Sequence, residues 1–276
     1  GATAGDAITS GACNIAIGLN ALTAATDNCD NIAIGQSALA ASVNDGDQNV
    51  AIGKAAMSAG DVSGFTNVAI GTDALKGITT GSRNVAIGDC ALGGATVTAC
   101  HNVALGTYAA DALTSGLNNV AIGQNALGAA TTSGYNVAIG YAALTASVDD
   151  GENNVAIGRA PMSGADVSGD SNVAIGYATM DALTTGADNV AIGRNALGAA
   201  TDNCDNVAIG SSALGASVND ADCNIAIGQS ALGGADVSGS FNIAIGISAA
   251  DATTTGACNI AIGENAYGAA AAGANN

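Results

Sequence analysis

Tryptophan is absent from this chain, phenylalanine occurs twice, and proline and histidine occur once each. Aromatic residues make up 3% of the sequence, which excludes a core assembled from large rings. Positive charge is almost as scarce. Lys54, Lys76, Arg83, Arg159 and Arg194 stand against 23 acidic residues, for a formal net charge of -18. Phosphates are neutralised by clustered Lys and Arg, so no nucleic-acid partner is expected, and an anionic membrane surface would repel the chain. No apolar run reaches the length of a membrane span, so no membrane insertion is expected. The sequence has no initiator Met, no leader-like segment and no capping element at either end. Solenoids need caps, so the expectation is a segment of a longer protein or a processed product.

What the sequence does have is glycine (40 residues), alanine and one pentapeptide. Asn-(Val/Ile)-Ala-Ile-Gly occurs fifteen times, with a single Leu (Leu105) at its fourth place, and successive copies lie 17 or 18 residues apart. A short fixed period of this kind is the signature of a solenoid, in which each coil touches only its neighbours. The predicted fold is therefore all-β: a parallel β-solenoid (β-roll) of about fifteen coils. The expected layout is the end of a partial coil over 1–13, the repeat domain over 14–267, and an Ala/Gly-rich tail over 268–276.

Counting Asn as position 0, positions 1 to 3 are β-branched or small and are flanked by Asn and Gly, which predicts a short strand. Strand side chains alternate, so positions 1 and 3 share a face and position 2 takes the other. Burying a Val or Ile is worth roughly 1.5–3 kcal/mol, so positions 1 and 3 are placed inside the coil with the Leu or Met usual at position 8. The Gly at position 4 is predicted to turn the chain with positive φ or to allow close backbone approach. These glycines are Gly18, Gly35, Gly53, Gly71, Gly88, Gly106, Gly123, Gly140, Gly158, Gly176, Gly193, Gly210, Gly228, Gly246 and Gly263. The Asn fits two structural roles, a side-chain amide ladder along the axis or an Asx-turn leading into the strand.

On this reading the invariant Ala at position 2 faces outward. Position 5 drifts from Leu19 through Lys54 and Asp89 to Glu264, whereas Ala never changes. A strand apolar on both sides is covered on both sides, so the Ala stripe is expected to be an oligomer interface. It comprises Ala16, Ala33, Ala51, Ala69, Ala86, Ala104, Ala121, Ala138, Ala156, Ala174, Ala191, Ala208, Ala226, Ala244 and Ala261.

The loops fall into four types that recur in blocks of 70 residues, with pentapeptides at 49, 119, 189 and 259 marking the period, although the order slips near 84–118, where only the third and fourth types appear. Block duplication accounts for this. Seven cysteines point to an oxidising compartment. Cys13 with Cys29, and Cys204 with Cys223, lie just before consecutive Asn positions and are the disulfide candidates. Asp45 and Asp47, Asp149, Asp150 and Glu152, and Asp220 and Asp222 form acidic loop clusters. Such oxygen-rich loops can hold Ca²⁺, but the spacing fits no known calcium loop, so solvated turns are the better reading and no cofactor is expected. Cys100 precedes the only histidine, His101, yet adjacent strand residues point to opposite faces and no oxyanion hole accompanies them. No carboxylate pair stands apart for glycoside hydrolysis, and the chain is not expected to be an enzyme.

The pentapeptide, with its closing Gly followed by two variable residues and Ala-Leu, resembles the head repeats of trimeric autotransporter adhesins. It resembles equally the repeats of phage tail fibres, which carry runs similar to NNVAIGQNALGAATTSGYNVAIGYAAL at 118–144. The resemblance covers residues 14–267, and the chain departs from the adhesin pattern in its longer repeat and its cysteines. It implies a left-handed roll, three chains about one axis, and attachment to a surface from an extracellular, cell-surface or virion location. The function so expected is a non-enzymatic fibre or adhesin segment that acts as a rigid spacer and attachment rod. Its partners would be copies of itself and a receptor or glycan. The alternative is an ice-binding solenoid whose flat Ala face stays exposed.

Overall fold

The computed structural model describes residues 1–43, 46–94, 96–147, 151–218, 221–234 and 236–268. Every pentapeptide forms one three-residue strand over positions 1 to 3, and the described residues contain no helix. The chain is a parallel β-solenoid made of two compact units. The first, Gly1–Tyr135, holds seven strands from β1 (Ile15–Ile17) to β7 (Val120–Ile122). The second, Asn136–Asn276, holds eight strands from β8 (Val137–Ile139) to β15 (Ile260–Ile262). Within each unit, consecutive strands pair in parallel with like positions in register, as Ala51 does with Ala69 and Ala174 with Ala191.

Each coil closes through backbone conformations that few fold types use so often. All fifteen residues at position -1, all fifteen at position 6 and all fifteen at position 8 have φ near +55°, from +48° at Leu75 and Ala178 to +63° at Phe241. For a non-glycine residue this region costs about 1–2 kcal/mol. The compensation is directional, because it turns each of these N–H groups along the stack. Asp30 N donates to Ala12 O at 2.9 Å, Ser37 N to Leu19 O at 2.9 Å and Leu22 N to Ala38 O at 2.9 Å. The glycine at position 4 meets both predicted requirements. Gly193 has φ of +131°, and a Cβ there would lie 2.6 Å from the carbonyl oxygen of Gly210 in the next coil.

From the pentapeptide and the turn after it, the interior takes small, amide and position 8 side chains rather than the β-branched residues of the strand. Ala at positions 2 and 7, Leu or Met at position 8 and Asn at position 0 are fully buried in most coils. The loops add Val62, Ile78, Val97, Leu113, Val167, Leu183 and Val237. Asn forms the axial ladder. Asn49 Oδ1 accepts from Asn67 N at 2.9 Å, Asn67 Oδ1 from Asn84 N at 3.0 Å and Asn84 Oδ1 from Asn102 N at 3.0 Å. The same links run from Asn136 to Asn259 in the second unit.

One expectation is overturned here. The alternation of the strand is as predicted, but its two faces are exchanged. Ala33 and its equivalents through Ala244 are wholly buried inside the coil, Ala261 is nearly so, and Ala16 in the first coil is half-buried. The Val and Ile residues at positions 1 and 3 face outward, half-buried or exposed. The reason is volume. A coil of 17–18 residues is already filled by the axial Asn row, the position 8 side chains, methyl groups and, in several coils, a loop Val, Ile or Leu, and has no room for two further strand side chains.

Candidate functional site

The exchange of faces moves the candidate surface from alanine to valine and isoleucine. Each strand presents two aliphatic side chains outward, and parallel in-register pairing sets them in two continuous rows. Coils about 4.8 Å apart give the eight strands of the second unit a strip roughly 34 Å long. Among the described residues these side chains are half-buried or exposed. Even within the ladders Ile87 keeps 40% of its surface exposed and Ile192 37%. Positions 1 and 3 carry no charged or hydroxyl side chain in any coil. An apolar strip of this length is beyond the scattered exposed residues of an ordinary soluble monomer. Its sequence signal was the Val/Ile exchange at position 1: an exposed apolar face tolerates it, whereas the interior Ala tolerates no added carbon.

The fifteen turn glycines all have positive φ, from +123° at Gly263 to +143° at Gly88. The cysteines behave otherwise than expected. All seven are free thiols, and neither the Cys13–Cys29 nor the Cys204–Cys223 bridge is formed. Cys29 aims its Sγ at Ala12 N (3.4 Å) and Asp27 O (3.3 Å) rather than at Cys13. Cys204 does the same with Ala187 N (3.4 Å) and Asp202 O (3.3 Å), although the main chains of Cys204 and Cys223 are joined by an N–H···O bond of 3.1 Å.

Burial pushes the Cys90 thiol up, reinforced by the carboxylates of Asp89, Asp111 and Asp73, the reverse of what a reactive thiolate needs. Burial likewise raises Cys223, helped by Asp205 and Asp222. Tyr108 is raised by the neighbouring Cys90 and Asp89, and Asp111 by burial. His101 sits in a surface stack: its Nε2 is 3.4 Å from Arg83 Nη1, and the Arg83 guanidinium lies 5.0 Å from the Phe65 ring centre. The Cys100 thiol is engaged apart from it, accepting from Ser82 N at 3.3 Å.

The acidic clusters are only partly described, since Asp45, Asp149, Asp150 and Asp220 fall outside the described residues. Asp47 and Asp222 accept from the main-chain N–H groups of Cys29 (2.7 Å) and Cys204 (2.8 Å) and so join adjacent coils. Among the described residues no group of three or more potential metal ligands converges. Nor is any helix among them long and apolar enough to cross a membrane. Compared with family profiles, with curated proteins and with solved structures, the chain matches none.

Proposed function

We propose that this chain is a non-enzymatic, self-associating segment of an extracellular fibre or adhesin, in which copies cover one another's Val/Ile face. The observation that carries this reading is the two-row apolar strip, uncharged in every coil and open to solvent in a single chain. Burying apolar area yields about 25 cal/mol per Å², so a face this regular has a strong reason to pair with a flat apolar counterpart. Another copy supplies one with the same spacing between coils. The number three and the attachment role come from the resemblance of the repeats to trimeric adhesin heads and tail fibres. The net charge of -18 supports solubility of the assembled fibre, because the acidic residues lie off the strip. Native mass spectrometry tests the reading, with a trimer expected and a monomer contradicting it.

A second reading draws on the same strip. Identical side chains at about 4.8 Å across the strands make a flat, repetitive surface of the kind that can order water. That is the ice-binding alternative, now resting on Val/Ile rather than Ala. It requires a monomer with measurable thermal hysteresis, so the same sample distinguishes the two.

A further inference from the structure

Three of the chain's five cations, Lys54, Arg159 and Arg194, occupy position 5, although each coil offers 17 or 18 places. Two of them fall in an unbroken run in the second unit, where four consecutive coils carry Tyr141, Arg159, Tyr177 and Arg194 at that position. The main chain stacks these residues in order. Ala160 N donates to Tyr141 O at 2.8 Å, Ala178 N to Arg159 O at 3.2 Å and Asn195 N to Tyr177 O at 3.0 Å. Tyr141 and Tyr177 keep about half their surface exposed, at 50% and 49%. The Arg159 guanidinium lies 5.6 Å from the Tyr177 ring centre, so it is held against an aromatic face. Among the described residues the one ion pair is Lys76–Asp73, in the other unit, and neither arginine of the row is in a salt bridge.

The surroundings are unusual for so acidic a chain. From the coil of Tyr141 to that of Ile247, positions 5 and 6 hold no carboxylate. Charges beyond about 8 Å are largely screened at physiological ionic strength, so the field along the row is set by the groups near it, the two arginines and Asp181 of the neighbouring depression. A shallow depression opens at Ala178 and Asn195, the chain neighbours of Tyr177 and Arg194, and is lined also by Asp181 and Gly198. It offers an amide, and a carboxylate already held by Ser163 Oγ at 2.9 Å.

We propose that the Tyr141–Arg159–Tyr177–Arg194 row is a binding rail for a linear acidic polysaccharide with a carboxylate on alternate sugars. Exposed tyrosine rings stack on the C–H faces of pyranose rings. A guanidinium fork takes a carboxylate through two parallel N–H···O bonds, which an ammonium cannot do. The spacing makes the match specific. Like side chains recur every second coil, at about 9.6 Å, close to the repeat of a disaccharide in an extended pyranose chain. Alternate carboxylates thus meet Arg159 and Arg194, while the intervening sugars lie over Tyr141 and over the side of the Tyr177 ring away from the Arg159 guanidinium. Asn195 and Asp181 are placed to take hydroxyl groups. This deepens the attachment part of the proposed function and rests on it only there, since the rail lies within one chain's second unit.

The test is calorimetric titration of the full chain with a hyaluronan oligosaccharide, with the same oligosaccharide after reduction of its carboxyl groups, and with polyglutamate. Oligomer mass is measured on each sample. Binding of the hyaluronan oligosaccharide is expected. Binding should weaken roughly tenfold or more after carboxyl reduction and in R159Q/R194Q. In Y141A/Y177A the expected loss is roughly fivefold to tenfold, with mass and melting temperature unchanged. No binding by the wild-type chain, undiminished binding in both double variants, or equally tight binding of polyglutamate would overturn the rail. A lost oligomer with binding intact would count against self-association and leave the rail standing.

Discussion

Oδ1 of Asn154 accepts two hydrogen bonds from Asn172, one from its main-chain N–H at 2.9 Å and one from its Nδ2 at 3.1 Å. Asn154 Nδ2 meanwhile donates to Gly169 O at 2.9 Å, so one buried amide satisfies groups at two places in the following coil. Asn154→Ala would take away the partner of the Asn172 main-chain N–H and of Gly169 O in a buried interior, at about 1–3 kcal/mol for each orphaned group, while Asn172 Nδ2 keeps Asp170 O and Gly186 O. The expected outcome is a lower denaturation midpoint, with amide exchange accelerated in the coils of Asn154 and Asn172 first. Uniform protection across the second unit would show that the ladder is not a stability element.

Ala156 and Ile157 are adjacent in one strand and face opposite ways, Ala156 fully buried and Ile157 half-buried on the outer face. Ala156→Val adds two carbons to a filled interior and should cost about 1–3 kcal/mol. Ile157→Thr should change the stability of the unassociated chain by no more than about 0.5 kcal/mol. Urea denaturation of the two variants under dissociating conditions checks this, and the reverse order would restore the Ala-outward arrangement.

Asp111 gives a pH dependence with a definite sign. Burial raises its folded-state pKa, so the folded chain holds the proton more tightly than the unfolded chain does. The charged form is therefore disfavoured by folding, and that cost is present at neutral pH and is lost as pH falls through the raised value. Asp111→Asn should melt higher than wild type at pH 7, and the gap should close in mildly acidic buffer. A gap that widens on acidification would mean that Asp111 is stabilised as a carboxylate.

Much of this architecture was legible in the residues. The fifteen pentapeptides fixed strand number, parallel register and the need for glycine at position 4, because periodicity and backbone freedom are local properties. Which face of the strand turns inward was not local. It depends on how little volume a coil closed by left-handed residues at positions -1, 6 and 8 encloses, and side chains such as Leu75 or Asp73 give no hint of positive φ. Hydrophobicity alone sent Val and Ile inward, whereas the strict invariance of Ala was the mark of a crowded interior. The cysteines were misjudged for a related reason. Offsets of one and two residues from Asn placed Cys13 near Cys29 in sequence register, but Cys29 Sγ is held at Ala12 N instead.

The central claim is that the outward Val/Ile strip is covered by other copies, and sedimentation equilibrium over a wide concentration range tests it most directly. The account predicts a mass that is a multiple of the 25.9 kDa chain, falling to 25.9 kDa when Ile157→Asp and Ile175→Asp place charge on the strip. A wild-type chain that stays at 25.9 kDa throughout would contradict it.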